Sequence, residues 1–242
     1  MTKRAKSARE ELALWNRLRI RRRLAAEFIR GEGVEIGALH QPQEVPEGAK
    51  VRYLDRLSTD QLRSEYPELD ALELVEVDIV EDGEDPRSIG DESIDFLIAS
   101  HVIEHCEDPV GTIKNWLRVI RPGGVIFLVV PNRKRTFDRL RSPTRVEHLL
   151  TDHREGPEGS RKQHYLDWVE TIEGLDVDTD ARAEELMAQG YRPHFHVWSP
   201  DEFRDSLLQI AEAERLPLEI AATRQNFREF MVVIRKAPDG PT

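Results

Sequence analysis

The segment Val34-Glu35-Ile36-Gly37-Ala38, with Asp55 of Tyr53-Leu54-Asp55 lying 18 residues after Gly37, constrains the fold more than any other part of this chain. It reads as a buried strand, a tight turn opening a helix, and a second strand that ends in a carboxylate. That layout suits a nucleoside ligand. Gly37 lets the backbone approach it, and Asp55 can accept from both ribose hydroxyls. A dinucleotide site would place G-x-G-x-x-G at this turn. Here the run is Gly37-Ala38-Leu39-His40-Gln41-Pro42, so the glycines that cradle a pyrophosphate are missing. The expected ligand carries a ribose but no pyrophosphate.

Composition narrows the class. The 242 residues are 39% hydrophobic and 33% charged, long enough for one well-buried α/β domain with decorations. No apolar run approaches the roughly 20 residues of a membrane span, and the N-terminal stretch has no apolar core of a secretory signal. A single cysteine, Cys106, excludes an intrachain disulfide and suits a reducing, cytoplasmic setting. Residues 1–30 hold ten Lys/Arg against three Asp/Glu, a net of +7, so the rest carries −18 of the total of −11. An acidic body argues against a broad nucleic-acid face, although the basic arm can meet an anionic partner.

Helical periodicity runs through residues 7–30, with Leu12, Trp15, Leu18, Ile20, Leu24, Phe28 and Ile29 on the apolar stripe. We expect an N-terminal amphipathic helix within residues 1–30 that packs on a domain spanning 31–242; a lid or a docking helix is the alternative. Strand signals follow at Val34–Ile36, Val51–Leu54, Leu74–Val77, Ile94–Ile98 and Val125–Val130, with helices at Ser58–Tyr66 and Pro109–Ile120 between some of them. The apolar run Val125–Val130 is that of a strand buried on both faces. Residues 133–197 break the alternation and read as a His-rich insertion over the carboxyl ends of the strands, with a helix around Ser160–Ile172 and a polar loop at Gly174–Asp180. Ser199-Pro200-Asp201-Glu202 is a capping box with proline in the first turn, and its helix runs to about Glu214. Leu218–Thr223 and Glu229–Arg235 close the chain as a hairpin. The expected fold is α/β: a Rossmann-like, doubly wound, mostly parallel sheet with an antiparallel C-terminal hairpin.

Ser93-Ile94-Asp95-Phe96-Leu97-Ile98-Ala99-Ser100-His101-Val102-Ile103-Glu104-His105, followed by Arg121-Pro122-Gly123-Gly124, closely resembles the class I S-adenosylmethionine-dependent methyltransferases, from Val34 to about Asn132. Glu147-His148-Leu149-Leu150, Asp152-His153, Glu155-Gly156-Pro157-Glu158 and His194-Phe195-His196-Val197-Trp198 resemble a bacterial subgroup associated with glycan biosynthesis. The resemblance implies S-adenosyl-L-methionine as cofactor. It puts Glu35, Gly37, Ala38 and Leu39 in the cofactor turn, Asp55 on the ribose with Arg56 beside it, Asp78 near the adenine amino group with Ile79 next to it, and Ser100 and His101 at the methionine end. Many members carry glycine where this chain has Leu39.

The implied reaction is displacement of a methyl group from a sulfonium by an acceptor atom, in which alignment and exclusion of water are the protein's main tasks. An unactivated hydroxyl also needs a base, and histidine suits that work near neutral pH. His153 and His196 are the candidates from the insertion, with His101 a further catalytic candidate at the cofactor's end. His148, His164 and His194, together with Arg133 and Lys134, are assigned to the acceptor, with Arg145 and Arg161 as possible additions to an anion grip. His194 and His196 are two apart in an extended segment and so share a side. Acceptor contacts, structural hydrogen bonds and a divalent metal are the three readings of this pair. The spacing matches no zinc motif and has no cysteine partners, so no metal ligand is assigned. His101 and His105, with Glu104, fail the H-E-x-x-H order; His105 reads as a structural hydrogen bond or cap, and Cys106 as a buried filler. The expected activity is O-methylation of a sugar or glycan intermediate. Small natural products are an alternative acceptor class, and a non-catalytic partner protein of the same fold is the other reading.

Overall fold

The computed structural model describes residues 8–69, 71–174 and 178–238. The chain opens with α1 (Ala8–Phe28), β1 (Glu32–Ile36), β2 (Lys50–Asp55), α2 (Thr59–Glu65), β3 (Ile79–Val80) and β4 (Ile94–Ser100). It continues through α3 (Pro109–Val119), β5 (Ile120–Pro131), α4 (Val146–Glu155), α5 (Glu158–Trp168) and α6 (Thr179–Ala188). α7 (Pro200–Glu214), β6 (Leu218–Asn226) and β7 (Glu229–Lys236) end it. The strands form one sheet in the order β3-β2-β1-β4-β5-β7-β6, parallel from β3 to β5, with β7 antiparallel to both its neighbours. The expected fold class is the one observed.

Local chemistry sets the helix starts. Ser58 and Gln61 cap α2 reciprocally, Asp108 accepts from Gly111 N–H at 2.9 Å with Pro109 opening α3, and Glu202 accepts from Ser199 N–H at 2.7 Å at the head of α7. Val125–Val130 is wholly buried, paired with β4 on one side and β7 on the other. α3 and α7 cover one face of the sheet around Trp116, Phe203 and Ile210. The other face packs Phe96, Ile98, Phe127 and Val129 against Leu24 and Ala25 of α1 and Ile29 just beyond it.

Three local expectations need correction. No helix follows Gly37: residues 37–49 form a loop, because Leu39 takes a left-handed backbone (φ 50), Pro42 and Pro46 lack amide donors, and Gln43 N–H goes to Glu35. Leu74–Val77 is not a strand. The Thr59 hydroxyl accepts Val77 N–H at 2.9 Å and Leu39 O accepts Val75 N–H at 2.8 Å, so sheet pairing begins only at Ile79. The insertion is more helical than its polarity suggests: α4 and α6 join α5, and Tyr165, Trp168, Ala183, Leu186 and Phe195 give it a small core of its own. The helix expected at Ser160–Ile172 is α5 extended by one π turn over Val169–Glu173. Of the loop expected at Gly174–Asp180, residues 175–177 lie outside the described residues, and Thr179 already opens α6.

Only the second half of the apolar stripe of α1 packs. Leu12, Trp15 and Leu18 are 58%, 57% and 46% exposed, whereas Leu24, Ala25 and Ile29 are buried. The helix is anchored by charge as well. Arg21 grips Glu229 of β7 in a bidentate pair, Nε to Oε1 at 2.7 Å and Nη2 to Oε2 at 2.6 Å, with both side chains buried. Asn226 donates to Glu229 Oε1 at 2.8 Å and to Arg17 O at 3.1 Å. Removing one member of such a pair leaves a buried charge uncompensated. Arg21→Met should therefore cost about 3–5 kcal/mol of unfolding free energy, measured by denaturant titration; a loss under about 0.5 kcal/mol, the scale of a surface substitution, would mean that α1 is not held by this pair.

Candidate active site

A cavity of about 530 Å³ opens at the carboxyl ends of the parallel strands, where the connections from β1 and β4 leave the sheet in opposite directions. Open α/β sheets place their ligands at such a switch point. Ile36, Gly37 and Leu39 come from the end of β1, and Asp55 and Arg56 from the end of β2. Asp82, Gly83 and Glu84 follow β3, and His101, Val102 and His105 follow β4. Leu62 and Tyr66 form a side wall. Gln189, Gly190, Tyr191 and Arg192, just beyond α6, bring the insertion over the opening.

The turn after β1 fits a nucleoside closely approached by backbone. Gly37 sits at φ 66 and Leu39 at φ 50, a region that costs a side-chain-bearing residue about 1–2 kcal/mol. That cost explains why glycine suits the second position, and Leu39 here lines the cavity. A Cβ on Gly83 would lie 2.5 Å from Ile36 Cγ2, so only glycine lets the segment after β3 close on the floor. Asp55 is partly buried. Burial raises its pKa, against the backbone amides of Leu57 and Arg56, and Leu57 N–H reaches Oδ1 at 3.4 Å. Its carboxylate is positioned to accept a pair of hydroxyls. Arg56 is held by Glu65 Oε1 at 3.0 Å and Tyr66 O–H at 3.4 Å and forms part of the wall.

Other residues assigned to the cofactor from the sequence lie elsewhere. Glu35 is fully buried beneath the turn, where both carboxylate oxygens accept Gln43 N–H at 2.9 and 3.0 Å. Burial raises its pKa to about 7, with the Gln43 hydrogen bond and Arg21 opposing. It shapes the loop and does not line the cavity. Asp78 is spent on Tyr53 N–H at 2.8 Å, and Asp82 stands at the cavity in its place. Ala38, Ile79 and Ser100 also lie outside the lining; Ile79 pairs with Leu54 in the sheet, and the Ser100 hydroxyl is buried without a partner.

The histidines divide sharply. His101, at φ 55, has Nδ1 3.3 Å from Glu104 Oε1 and Nε2 3.4 Å from Glu229 Oε2. Burial opposes its charge, but the two carboxylates outweigh burial and hold its pKa at about 9. It is an imidazolium at neutral pH and has no free lone pair to act as a base. His105 is the opposite case. Its Nδ1 lies 3.0 and 2.9 Å from the carbonyl oxygens of Arg192 and Pro193, which only accept, so the proton sits there and Nε2 keeps its lone pair. Burial first, and the charge of His194 next, lower its pKa despite Glu104.

His153 lies outside the cavity lining, between Asp108 Oδ2 at 2.8 Å and Lys114 Nζ at 3.0 Å, where α4 meets α3. His194 and His196 enter different clusters despite their two-residue spacing. His194 bonds Asp138 Oδ2 at 2.8 Å and packs on His105 with ring centroids 4.8 Å apart; His196 meets His148 and His164. Arg133 is clamped by Glu202 at 2.8 and 2.7 Å, Lys134 reaches the same carboxylate at 3.7 Å, and Arg161 is clamped by Glu107 at 2.6 and 2.7 Å. These cations are already paired, and the anion grip read from the sequence is not assembled. Arg145 is exposed beside Glu147. Sequence reasoning did not bring Asp82 or Arg192 to the cavity, and it read His105 as the structural hydrogen bond that the ring does make to Arg192 and Pro193. An Asp-Gly step directly after a short strand was the available signal for Asp82; Arg192 closes on Glu84 across the cavity mouth through an ion pair no local pattern encodes.

The family model described as a methyltransferase domain matches residues 47–128. The match supports a class I S-adenosylmethionine-dependent methyltransferase domain over that stretch. Its cofactor is S-adenosyl-L-methionine, and a cavity lined by a carboxylate, Asp55, and a glycine turn, Gly37, is chemically suited to it. The ubiquinone biosynthesis O-methyltransferase of Parvibaculum lavamentivorans is 28% identical over 127 residues, 51% of this chain and 48% of that protein. The match thus spans about half the length of that curated relative. A possible exported protein from Bordetella parapertussis has a structure similar at TM-score 0.51 and 12% identity, covering 97% of this chain and 75% of that one; the likeness is one of fold. A methyltransferase from Aquifex aeolicus covers 89% of this chain and 87% of that chain at 11% identity and TM-score 0.48. Among the described residues no helix is long and apolar enough to cross a membrane.

Two outcomes follow from this domain's geometry. Asp55→Ala should weaken S-adenosylhomocysteine binding by about 1–3 kcal/mol, the scale for hydrogen bonds to a charged group, in a calorimetric titration; unchanged affinity would remove Asp55 from the site. His101 has a folded pKa of about 9 against an ordinary 6.5, so its stabilising contribution is complete below pH 6.5 and is lost as pH rises towards 9. The melting temperature should fall across that window and fall less in His101→Gln; equal slopes would mean that His101 is not the titrating group.

Proposed function

We propose that this chain transfers a methyl group from S-adenosylmethionine to a hydroxyl of an acceptor, with His105 as the general base. The observation that carries this reading is the fixed tautomer of His105, which leaves an unprotonated nitrogen on a cavity-lining residue in a setting that keeps the ring neutral. The cofactor supplies an activated methyl group when bound. Asp55 would hold the ribose hydroxyls, Asp82 would meet the adenine, and the turn at Gly37 would give backbone access. His105 Nε2 takes the acceptor's proton, and the carbonyls of Arg192 and Pro193 hold the ring while its charge changes. His101, already charged, orders this end of the site through Glu104 and Glu229. Residues 133–197 serve as the acceptor-side cap of a domain spanning 31–242.

A sugar or glycan intermediate is the acceptor class we favour. The mouth is built from Gln189, Arg192, Glu84 and Tyr191, groups suited to hydroxyl recognition more than to a long apolar tail. The curated relative is named for O-methylation in ubiquinone biosynthesis, which supports oxygen as the acceptor atom and makes a quinol the acceptor to test against.

His105→Ala should lower kcat about 10²–10⁴-fold, the scale of lost general-base catalysis, while the calorimetric affinity for S-adenosylhomocysteine stays within about twofold. Because the His105 pKa lies below the ordinary 6.5, the wild-type kcat should be level above pH 6.5 and fall only on the acid side. The assay compares nucleotide-sugars and glycan intermediates with quinols. Full activity in His105→Ala removes it as the base, and turnover of quinols alone removes the glycan assignment.

A further inference from the structure

The insertion contains a second polar cluster that takes no part in the cavity. His148 and Asp152 lie one turn apart on α4, His164 on α5, and His196 in the extended segment leading to α7. His148 Nε2 is 3.1 Å from His164 Nε2 and 3.2 Å from Asp152 Oδ2, and His164 Nε2 is 3.8 Å from the same oxygen. The three histidines each offer a ring nitrogen, all within 4.8 Å of one another. A tetrahedral zinc ion with bonds of about 2.0–2.1 Å sets its ligand atoms roughly 3.3 Å apart. The His148–His164 spacing of 3.1 Å is close to that, and the His196 nitrogen lies within 4.8 Å of both.

Hydrogen bonding alone leaves this cluster unsatisfied. His196 is fully buried, and its Nε2 faces the Glu107 carbonyl oxygen at 3.4 Å. A carbonyl only accepts, so the proton belongs on Nε2, and Nδ1 is left as a buried lone pair with no partner. Asp152 is buried too, and its Oδ2 has no hydrogen-bond partner. One proton on His148 Nε2 cannot serve both His164 and Asp152. A single cation among the three histidines satisfies their lone pairs, and the Asp152 carboxylate beside His148 and His164 offsets its charge. A ligating histidine commonly donates its other N–H to a backbone carbonyl, as His196 does here.

We propose that His148, His164 and His196 bind one divalent transition-metal ion, with zinc the best match and Asp152 the adjoining carboxylate. Three imidazoles, without thiolates, suit zinc and its first-row neighbours, whereas magnesium and calcium favour all-oxygen sets. The three histidines leave the fourth tetrahedral position to water. None of these residues lines the cavity, and they come from α4, α5 and the segment before α7. The ion is a cross-link that fastens the insertion, and it stands apart from the methyl-transfer reading.

The test uses the full chain without a histidine tag, stripped with a chelator and dialysed. Zinc titration by calorimetry should show one site per chain, magnesium should show none, and zinc should raise the melting temperature. Cobalt(II) at the same stoichiometry should give the visible absorption of a tetrahedral centre, displaced by zinc. His164→Gln and His196→Gln should each lower zinc affinity by at least about 10–100-fold, a loss that even outer-shell changes can cause, with S-adenosylhomocysteine binding reporting that they are folded. Absence of stoichiometric zinc binding to the folded, stripped wild-type chain overturns the proposal, as does unchanged affinity in both folded variants. Should the variants not fold, the wild-type titration and the cobalt spectrum decide alone.

Discussion

Glu229 is a carboxylate almost wholly removed from water, and cationic groups from distant parts of the chain converge on it. Arg21 reaches it from α1 and His101 from the end of β4. Burial alone would raise its pKa, yet these partners hold it at about 2. The cluster joins three things that could otherwise move separately: the N-terminal helix, the C-terminal hairpin and the floor of the cavity. Through His101 it also holds Glu104, whose carboxylate is buried beside the same ring. The charge state of the site's floor is thus tied to how α1 sits on the sheet.

The cavity follows from topology. Four parallel strands release their carboxyl ends on one edge, and each end delivers a different group: a backbone turn from β1, a carboxylate from β2, an Asp-Gly step after β3, and a histidine pair after β4. The insertion then arrives from the far side. Its backbone carbonyls at Arg192 and Pro193 orient His105, and its Arg192 side chain pairs with Glu84. Half of the site is a property of the sheet, and half depends on how the insertion folds back over it.

Several site residues were legible because local chemistry assigns them. Gly37 stands at a strand end where the backbone must turn left-handed, and Asp55 ends an apolar strand at the spacing a nucleoside requires. Glu35 reads equally well as a ligand, but its side chain points into the fold and meets Gln43, which lies in a loop whose course no periodicity reveals. Asp78 and Asp82 are both acids near the same strand. Their roles separate only when Thr59 takes Val77 N–H and shifts the start of β3. Arg133 and Lys134 form a basic step at a rim in the sequence; Glu202, 69 residues from Arg133, neutralises them.

By itself the sequence determined the α/β class, the strand order's raw material, the helix caps and the placing of Asp55 at a strand end beside the cavity, because each rests on contacts between near neighbours and on burial periodicity. Tertiary structure decided the protonation of the histidines. All eight look alike in sequence, yet His101 is cationic between two buried carboxylates while His105 is neutral against two carbonyl oxygens. A histidine's charge is set by burial and by partners both near and far: beside its neighbour Glu104, His101 finds Glu229 across 128 positions, and His105 finds Arg192 across 87. Those partners are adjacent only once the sheet is closed and the insertion is in place.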